Sequence, residues 1–272
     1  MLECVINISE GRDEDRLARL ARAAGASLRD VHRDPFHHRS VFTLINPATE
    51  LERDVRGLLD AALELLDIAA HQGVHPRLGV VDVVPFVALA PESISAAIDL
   101  RDRTARWIAL AHEMPVFLYG PLPEGERTLP HVRAHAFKDL SPDFGPAEPD
   151  ARAGAAVVGA REILVAWNLW LTGVDIDEAR LLAKLVRRPG VRALGLPVGG
   201  AVQVSCNLYD LDLATPSMVY DLVASQLEGG GAIQRAELVG LAPRSLLARE
   251  ERSRWAALGL SEGATIESRL ER

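Results

Sequence analysis

The fold is decided by residues 163–190, which read ILVAWNLWLTGVDIDEARLLAKLVRRPG. The apolar run over residues 163–171 has the length and composition of a strand. Asp175 and Glu178 have the spacing of a capping box, which predicts a helix over residues 176–187. The sequence RRPG then ends that helix. This stretch is therefore predicted to be a strand followed at once by a helix.

The segments around this stretch extend it to the order β-α-β-β-α-β, and the first half of the chain is predicted to have the same order with one more helix and strand. The predicted strands cover residues 3–9, 27–32, 40–45, 78–89, 116–119, 191–196, 202–209 and 233–239, and the helices begin near residues 14, 49, 91, 176 and 216. We expect an α+β fold of two ferredoxin-like subdomains with mixed or antiparallel sheets, residues 1–145 and 146–272, and a ligand cleft between them. Residues 121–153, which are rich in proline, are predicted to link the two halves.

Composition excludes several classes of function. The chain has 272 residues, and its net charge of −8 argues against a general nucleic-acid binder, which needs a basic surface. Apolar stretches are shorter than the ~20 residues of a bilayer helix, and the amino terminus has no basic segment of an export signal. The two cysteines, Cys4 and Cys206, indicate reduced thiols in a cytoplasmic protein.

The stretch HQGVHPRLGVVDVVPF, residues 71–86, places polar groups against an apolar run. His71 and His75 are four residues apart, a spacing that would suit a metal only on a helix, and Gly73 and Pro76 disfavour a helix there. A metal-dependent hydrolase is therefore the remotest of the alternatives. His75 is either an ordinary loop histidine or a general acid/base, because histidine exchanges protons near neutral pH.

Two further groups have open interpretations. Asp82 is a carboxylate within an apolar run, so it lies at a sheet edge or bulge, or it orients a histidine or accepts a substrate amine. The sequence DVHRDPFHHRSV, residues 30–41, is either a solvated loop or a segment that brings His37 and Arg39 beside His75 to bind a carboxylate.

The second half of the chain also presents polar candidates. The turn-rich sequence SPDFGPAEP, residues 141–149, could line a ligand or serve as a linker. Gln203, Ser205 and Asn207 alternate along one predicted strand and therefore share one face, and Asn168 lies within an earlier apolar strand. Such a polar stripe is either the solvent side of a sheet or a surface that binds a flat polar ligand.

Taken together, these stretches resemble the formiminotransferase family, folate-dependent enzymes that act on N-formimino-L-glutamate in histidine degradation. The motifs that carry the resemblance occur in the family's order: ECVINISEGRD, DVHRDPFHHRSV, HQGVHPRLGVVDVVPF, PVFLYG, RTLPHVR, PDFGP, GAREILVAWNLWL, QVSCNLYD and AELVGLAP. They cover nearly the whole chain, and HPRLGVVDVVPF is the most specific. The family fold, two ferredoxin-like subdomains with a ligand passage between them, agrees with the predicted repeat.

The resemblance also implies roles for particular residues. His75, the histidine of the H-P-R motif, corresponds to the catalytic acid/base, and the loop from Gly145 to Gly154 corresponds to the folate contact. The substrate-binding candidates are His37, Arg39, Arg77, Asp82, Asn168, Gln203 and Asn207. The folate-binding candidates are Asp143, Gly145, Pro146, Ala147, Glu148, Pro149 and Gly154.

The implied activity is a glutamate formimidoyltransferase without a cyclodeaminase domain. It would move the formimino group to N5 of tetrahydrofolate, its co-substrate, with no metal, no nucleic-acid or membrane partner, and as a cytoplasmic homodimer by family analogy. One alternative is a folate-dependent transferase with a different donor or acceptor, since His38 stands where the family usually has asparagine and the loop after PDFGP is acidic. Another is a non-catalytic folate-binding homologue.

Overall fold

The computed structural model describes residues 1–71, 77–227 and 229–271. By its internal contacts the chain divides into two compact units, Met1–Ile163 and Leu164–Arg272. Each unit contains one β-sheet with helices packed against it. The predicted α+β class with two sheet-containing halves is therefore confirmed. The predicted boundary after Gly145 stays a prediction.

Unit 1 is built on a seven-stranded sheet with the order β2-β3-β1-β4-β7-β5-β6. Its strands are β1 (Leu2–Ile8), β2 (Leu28–Asp34), β3 (Arg39–Asn46), β4 (Val81–Ala88), β5 (Val116–Leu122), β6 (Gly125–Arg127) and β7 (Ala156–Glu162). Its α-helices are α1 (Glu14–Ala23), α2 (Ala48–Leu65), α3 (Ile94–Ala111) and α4 (Leu129–His135). The strands β1 to β4 are antiparallel in the ferredoxin-like order, and β7 extends them by pairing parallel to both β4 and β5.

The two faces of this sheet differ in what covers them. Along β1, Cys4, Ile6 and Ile8 point into a core that also contains the apolar residues of α1, α2 and α3. Glu3, Val5 and Asn7 alternate with them and point to the opposite face, which we call the site face of unit 1. Part of the site face is covered by α4, which packs against β4, β5 and β7.

The segment predicted to link the two halves is instead part of unit 1. Residues 121–153 contain β6 and α4 and lie wholly before the boundary between the units. Thr128 caps α4 by accepting a hydrogen bond from the backbone N–H of His131 at 3.3 Å. Pro130 lies in the first turn, where a missing N–H costs nothing, so proline here marks a helix start and not a linker.

Unit 2 repeats the ferredoxin-like topology, with the antiparallel sheet order β11-β8-β10-β9. Its elements are β8 (Val165–Thr172), α5 (Ile176–Val186), β9 (Val191–Val198), β10 (Ala201–Leu208), α6 (Pro216–Ala224), β11 (Ala232–Val239), α7 (Arg244–Leu247) and α8 (Ile266–Leu270). The predicted capping box is present: Asp175 accepts from the backbone N–H of Glu178 at 2.9 Å, and the Glu178 side chain accepts from that of Asp175 at 2.8 Å. Within the described ranges, no helix combines the length and apolar character needed to span a membrane.

Candidate active site

The buried carboxylate of Asp82 is the centre of a polar cluster in unit 1. Asp82 is 1% exposed and lies on β4, between β1 and β7, so it is not at a sheet edge. The pairing of β1 with β4 does shift register at this residue, since Asn7 pairs with Val83 and Ile8 with Val81, which agrees with the predicted bulge. Its Oδ1 accepts a hydrogen bond from the backbone N–H of Leu78 at 2.8 Å, and its Oδ2 accepts one from Arg133 at 2.6 Å. Nη1 of Arg39 lies 3.7 Å from the same Oδ2. One carboxylate therefore holds two guanidinium groups on the site face.

These neighbours set the charge of the cluster. Burial on its own would raise the pKa of Asp82, but Arg39 and Arg133 outweigh it and lower the pKa below its ordinary value. Burial lowers the pKa of Arg39 to about 10, although Asp82 opposes this effect. At neutral pH the carboxylate is therefore ionised and the guanidinium groups are protonated. The excess of positive charge supplies the local basic site that a chain of net charge −8 needs to bind an anion.

His71 and Arg77, the described residues on either side of residues 72–76, both contact the backbone of His38. Nε2 of His71 lies 2.8 Å from the carbonyl oxygen of His38, and Arg77 donates to the same oxygen at 3.3 Å. Arg77 also donates to the carbonyl oxygen of His37 at 2.9 Å. The rings of His38 and His71 stack with their centroids 4.2 Å apart. Burial, reinforced by the charge of Arg77, lowers the pKa of His71, which favours its neutral form.

Glu10 fixes the turn on which His38 rests. Its Oε1 accepts hydrogen bonds from the backbone N–H groups of Gly11, Arg12 and Asp13 at 2.9, 2.8 and 3.1 Å, and lies 3.1 Å from Nε2 of His38. Burial would raise the pKa of Glu10, but these hydrogen bonds and His38 lower it. His38 has a φ of +50°, a conformation in which asparagine and histidine are both enriched among non-glycine residues. The backbone thus accepts either residue, whereas only histidine adds a titratable ring.

His37 and Arg39 are each fixed by a second partner. Nδ1 of His37 lies 2.5 Å from Oδ2 of Asp34, and Asp34 also accepts from the backbone N–H of His37 at 2.9 Å. Burial would raise the pKa of Asp34, but the hydrogen bonds from His37 lower it. Nε of Arg39 donates to Oδ1 of Asn7 at 3.0 Å. Asn7 of β1 therefore orients the guanidinium that approaches Asp82.

The carboxyl end of the predicted folate loop, Gly145 to Gly154, packs directly on the residues that follow the H-P-R motif. The backbone N–H of Ala155 donates to the carbonyl oxygen of Leu78 at 2.9 Å, and that of Val80 donates to the carbonyl oxygen of Ala153 at 2.8 Å. The loop and the Asp82 cluster therefore converge on one short piece of chain.

The start of the same loop is held by Asp143. Its Oδ2 accepts hydrogen bonds from the backbone N–H of Leu118 and from Arg127, both at 2.7 Å, so this oxygen already has two protein partners. Gly145 has a φ of +84°, and a Cβ there would lie 2.4 Å from the carbonyl oxygen of Met114. Between these anchors the loop is exposed, and its predicted folate contacts are Pro146, Ala147, Glu148 and Pro149.

Gly154→Ala tests the contact between the loop and the H-P-R segment. Gly154 has a φ of +74°, and a Cβ would lie 2.2 Å from the carbonyl oxygen of Leu78. The left-handed backbone alone costs about 1–2 kcal/mol for alanine, and the collision adds to this cost. We expect Gly154→Ala to lower the free energy of unfolding in urea by more than about 2 kcal/mol. Gly200→Ala is the control, because Gly200 has a φ of +86° and no atom within 4 Å of the added methyl group. Equal losses in the two variants would show that the packing contributes nothing.

Unit 2 carries the other predicted polar residues on one face of its sheet. In the pairing of β10 with β8, Ser205 lies opposite Asn168 and Gln203 lies opposite Trp170. Asn207 is exposed, whereas Asn168 is 7% exposed and Gln203 is fully buried. In the described part of the chain, neither amide atom of Gln203 has a hydrogen-bond partner. A buried amide in this state fits contact with a polar ligand better than a solvated stripe.

Sequence analysis identified most residues of the Asp82 cluster but not all of the residues that hold them in place. The structure brings His37, Arg39, Arg77 and Asp82 together, whereas His75 lies outside the described residues. Sequence reasoning did not single out Arg133 and Asn7, although Arg133 ends the motif RTLPHVR and was available as a signal. No group of three or more histidine, cysteine, aspartate or glutamate side chains in the described ranges could hold a metal ion.

Residues 1–161 match the family model described as the formiminotransferase domain, N-terminal subdomain, so the chain belongs to the formiminotransferase family and is an enzyme of that type. Among its relatives is the glutamate formimidoyltransferase of Thermoplasma acidophilum, which is 29% identical over 100% of this chain and 98% of the relative. The glutamate formimidoyltransferase of Streptococcus pyogenes is 30% identical over 91% of this chain and 90% of the relative. The formimidoyltransferase-cyclodeaminase of Gallus gallus is 32% identical over 91% of this chain and 51% of the relative.

Proposed function

We propose that this protein transfers the formimino group of N-formimino-L-glutamate to N5 of tetrahydrofolate, giving 5-formiminotetrahydrofolate and L-glutamate, as a step of histidine degradation. Two of the relatives above are named glutamate formimidoyltransferases, and the chain matches almost their full length. We further propose a cytoplasmic homodimer whose subdomains divide near Gly145.

One observation carries the proposal: the predicted folate loop and the predicted substrate cluster meet at residues 78–82. The loop ends on Leu78 and Val80, and the N–H of Leu78 binds the carboxylate of Asp82. Two substrates that react with each other must be held within contact distance, and adjacent binding groups achieve this. The convergence is therefore the arrangement that a transfer between a folate and a second substrate requires.

The chemistry assigns a task to each part of the cluster. N5 of tetrahydrofolate attacks the amidine carbon of formiminoglutamate, and the bond from that carbon to the glutamate nitrogen then breaks. A proton leaves N5 and a proton reaches the departing nitrogen, and His75 is proposed to carry out both transfers. Arg39 and Arg77 are proposed to bind the substrate carboxylates, because guanidinium groups form charge-assisted hydrogen bonds with them. Asp82 holds the basic groups in place.

A second candidate keeps the reaction type and changes the formimino donor or acceptor. His38 replaces the asparagine expected from the family, and its ring stacks on His71 at 4.2 Å. Two adjacent imidazoles present a different set of donors and acceptors from one amide. This observation favours a donor whose contact to this turn differs from that of formiminoglutamate.

The decisive experiment mixes the protein with N-formimino-L-glutamate and tetrahydrofolate and follows 5-formiminotetrahydrofolate by absorbance. We expect turnover that depends on both substrates. Absence of turnover together with retained tetrahydrofolate binding would favour the second candidate or a non-catalytic folate-binding protein. If tetrahydrofolate does not bind either, the proposed function is wrong.

A further inference from the structure

A second polar group lies on the site face of unit 1, on strands that the Asp82 cluster also uses. Glu3 of β1 pairs with Val87 of β4, and Val87 pairs with Arg161 of β7, so the three residues form a row across the sheet. Tyr119 of β5 lies opposite Gly159 of β7, and a Cβ on that glycine would lie 2.0 Å from the tyrosine ring. A carboxylate, a guanidinium and a phenol therefore surround the apolar side chain of Val87.

The carboxylate in this row is buried, and the charge of Arg161 acts on it. Glu3 is 4% exposed, and within the described ranges its side chain takes part in no hydrogen bond or ion pair. The guanidinium of Arg161 donates to the carbonyl oxygen of Glu162 at 2.8 Å, and no ion pair joins it to Glu3. An ionised carboxylate that is buried without a partner is strongly disfavoured, so this arrangement needs a reason.

A second buried group on the same face is also unsatisfied. Thr43 of β3 lies opposite Val5 of β1 and so points to the site face between Glu3 and Asn7. Its Oγ1 is buried and has no hydrogen-bond partner in the described chain. Thr43 and Glu3 therefore lie on neighbouring strands, and neither has a hydrogen-bond partner among the described residues, which indicates that a polar ligand lies along this face.

We propose that Glu3, with Arg161 and Tyr119, binds the 2-amino-4-oxopyrimidine edge of the pterin ring of tetrahydrofolate. This inference rests on the proposed function. The edge presents N–H donors at the 2-amino group and at N3 next to a carbonyl acceptor at position 4. A carboxylate accepts from both N–H groups, and a guanidinium or phenol donates to the carbonyl. The acceptor and donor groups of Glu3, Arg161 and Tyr119 thus match the donors and the acceptor of this edge, in the same order.

The position of the row suits a ring whose other side reacts. Asn7, which holds Arg39 of the cluster, is four residues from Glu3 along β1, a distance of about 13 Å. N5 lies on the side of the pterin opposite its 2-amino group. Binding at Glu3 would therefore direct N5 towards the cluster.

The charge of Glu3 gives the proposal a pH signature. Burial raises the pKa of Glu3 to about 7, and the charge of Arg161 opposes that rise. Burial also raises the pKa of Tyr119, so the phenol stays neutral, and Arg161 stays protonated. Cys4, the neighbouring residue on the other face, has its pKa raised well above the ordinary value by burial. In this group only Glu3 gains charge between pH 6 and pH 8, and ligand binding should strengthen over that range.

The test measures dissociation constants by anaerobic calorimetry for tetrahydrofolate and for 4-aminobenzoylglutamate, which lacks the pterin. Glu3→Gln should weaken tetrahydrofolate binding at pH 8 by about 10- to 100-fold, the range for hydrogen bonds to a charged group, and should leave 4-aminobenzoylglutamate unchanged. The pH dependence of tetrahydrofolate binding should also disappear. Glu64→Gln, on an exposed position of α2, is the control and should behave as the wild type.

Each other outcome overturns the proposal in a distinct way. Equal tetrahydrofolate affinity in Glu3→Gln and the wild type removes Glu3 from pterin binding and leaves the proposed function intact. Failure of the wild type to bind tetrahydrofolate would contradict both the role of Glu3 and the proposed function. A Glu3→Gln protein that unfolds at lower urea concentration than the wild type at pH 8 would show that Glu3 is a structural partner of Arg161.

Discussion

His75→Ala is expected to reduce kcat for formimino transfer by about 10²- to 10⁴-fold, the usual contribution of one general acid/base. The histidine precedes the anchored Arg77 by two positions in the chain, and Arg77 holds the carbonyl oxygens of His37 and His38. Because we propose that the arginine cluster and the loop bind the substrates, the dissociation constant for tetrahydrofolate should change little. Steady-state turnover and calorimetry measure the two quantities separately.

His131→Ala is the matched control for that experiment. His131 is an exposed histidine of α4, and we expect the variant to retain wild-type turnover. Turnover that persists in His75→Ala would exclude His75 as the acid/base and would make His71, whose lowered pKa favours a neutral ring, the next candidate. Loss of tetrahydrofolate binding together with turnover would instead assign His75 to binding.

Asp82→Asn is expected to lower the free energy of unfolding at pH 7 by about 3–5 kcal/mol, the usual cost of removing one partner of a buried ion pair. Asparagine keeps the size of the side chain but leaves the Arg39 and Arg133 charges without their carboxylate. Turnover should fall as well, because the guanidinium groups lose their fixed positions. Urea unfolding followed by circular dichroism gives the first quantity.

The pH dependence of this loss follows from the lowered pKa of Asp82. A carboxyl group whose pKa is lower in the folded state stabilises the fold above its unfolded pKa, about 3.9, and loses that contribution as the pH falls through the folded value. The difference between the wild type and Asp82→Asn should therefore be full at pH 7 and shrink below about pH 4. Asp177→Asn, at an exposed surface pair, should show no measurable loss at either pH. A difference that stays constant with pH would show that charge is not the cause.

The sequence predicted the repeated topology because its signals are local. The capping box at Asp175 and the period-two alternation along β10 each depend on residues within a few positions of one another. The same reasoning missed β7 and α4, whose places depend on distant partners: β7 fills the gap between β4 and β5, and α4 packs on the site face.

The residues of the candidate site were likewise predictable where the signal is local and not where it depends on a distant partner. His37, Arg39 and Asp82 were predicted from polar residues against apolar strands, and strand pairing does bring them together. Arg133 is 51 positions from Asp82, and no local pattern links the two. Glu3 lies inside a strand with an ordinary alternation, and only the finished sheet shows that its carboxylate is buried with no hydrogen-bond or ion-pair partner among the described residues.

The parallel pairing of β7 has a consequence for synthesis on the ribosome. Val83 pairs with Val157, so the middle of this sheet cannot close until more than seventy further residues have been added to the growing chain. Contacts between such distant segments form late and slowly. Until then the edge of β4 that β7 will cover is open to other strands, which invites aggregation. Since the loop before β7 also closes on Leu78, we expect the candidate active site to be among the last parts of unit 1 to mature.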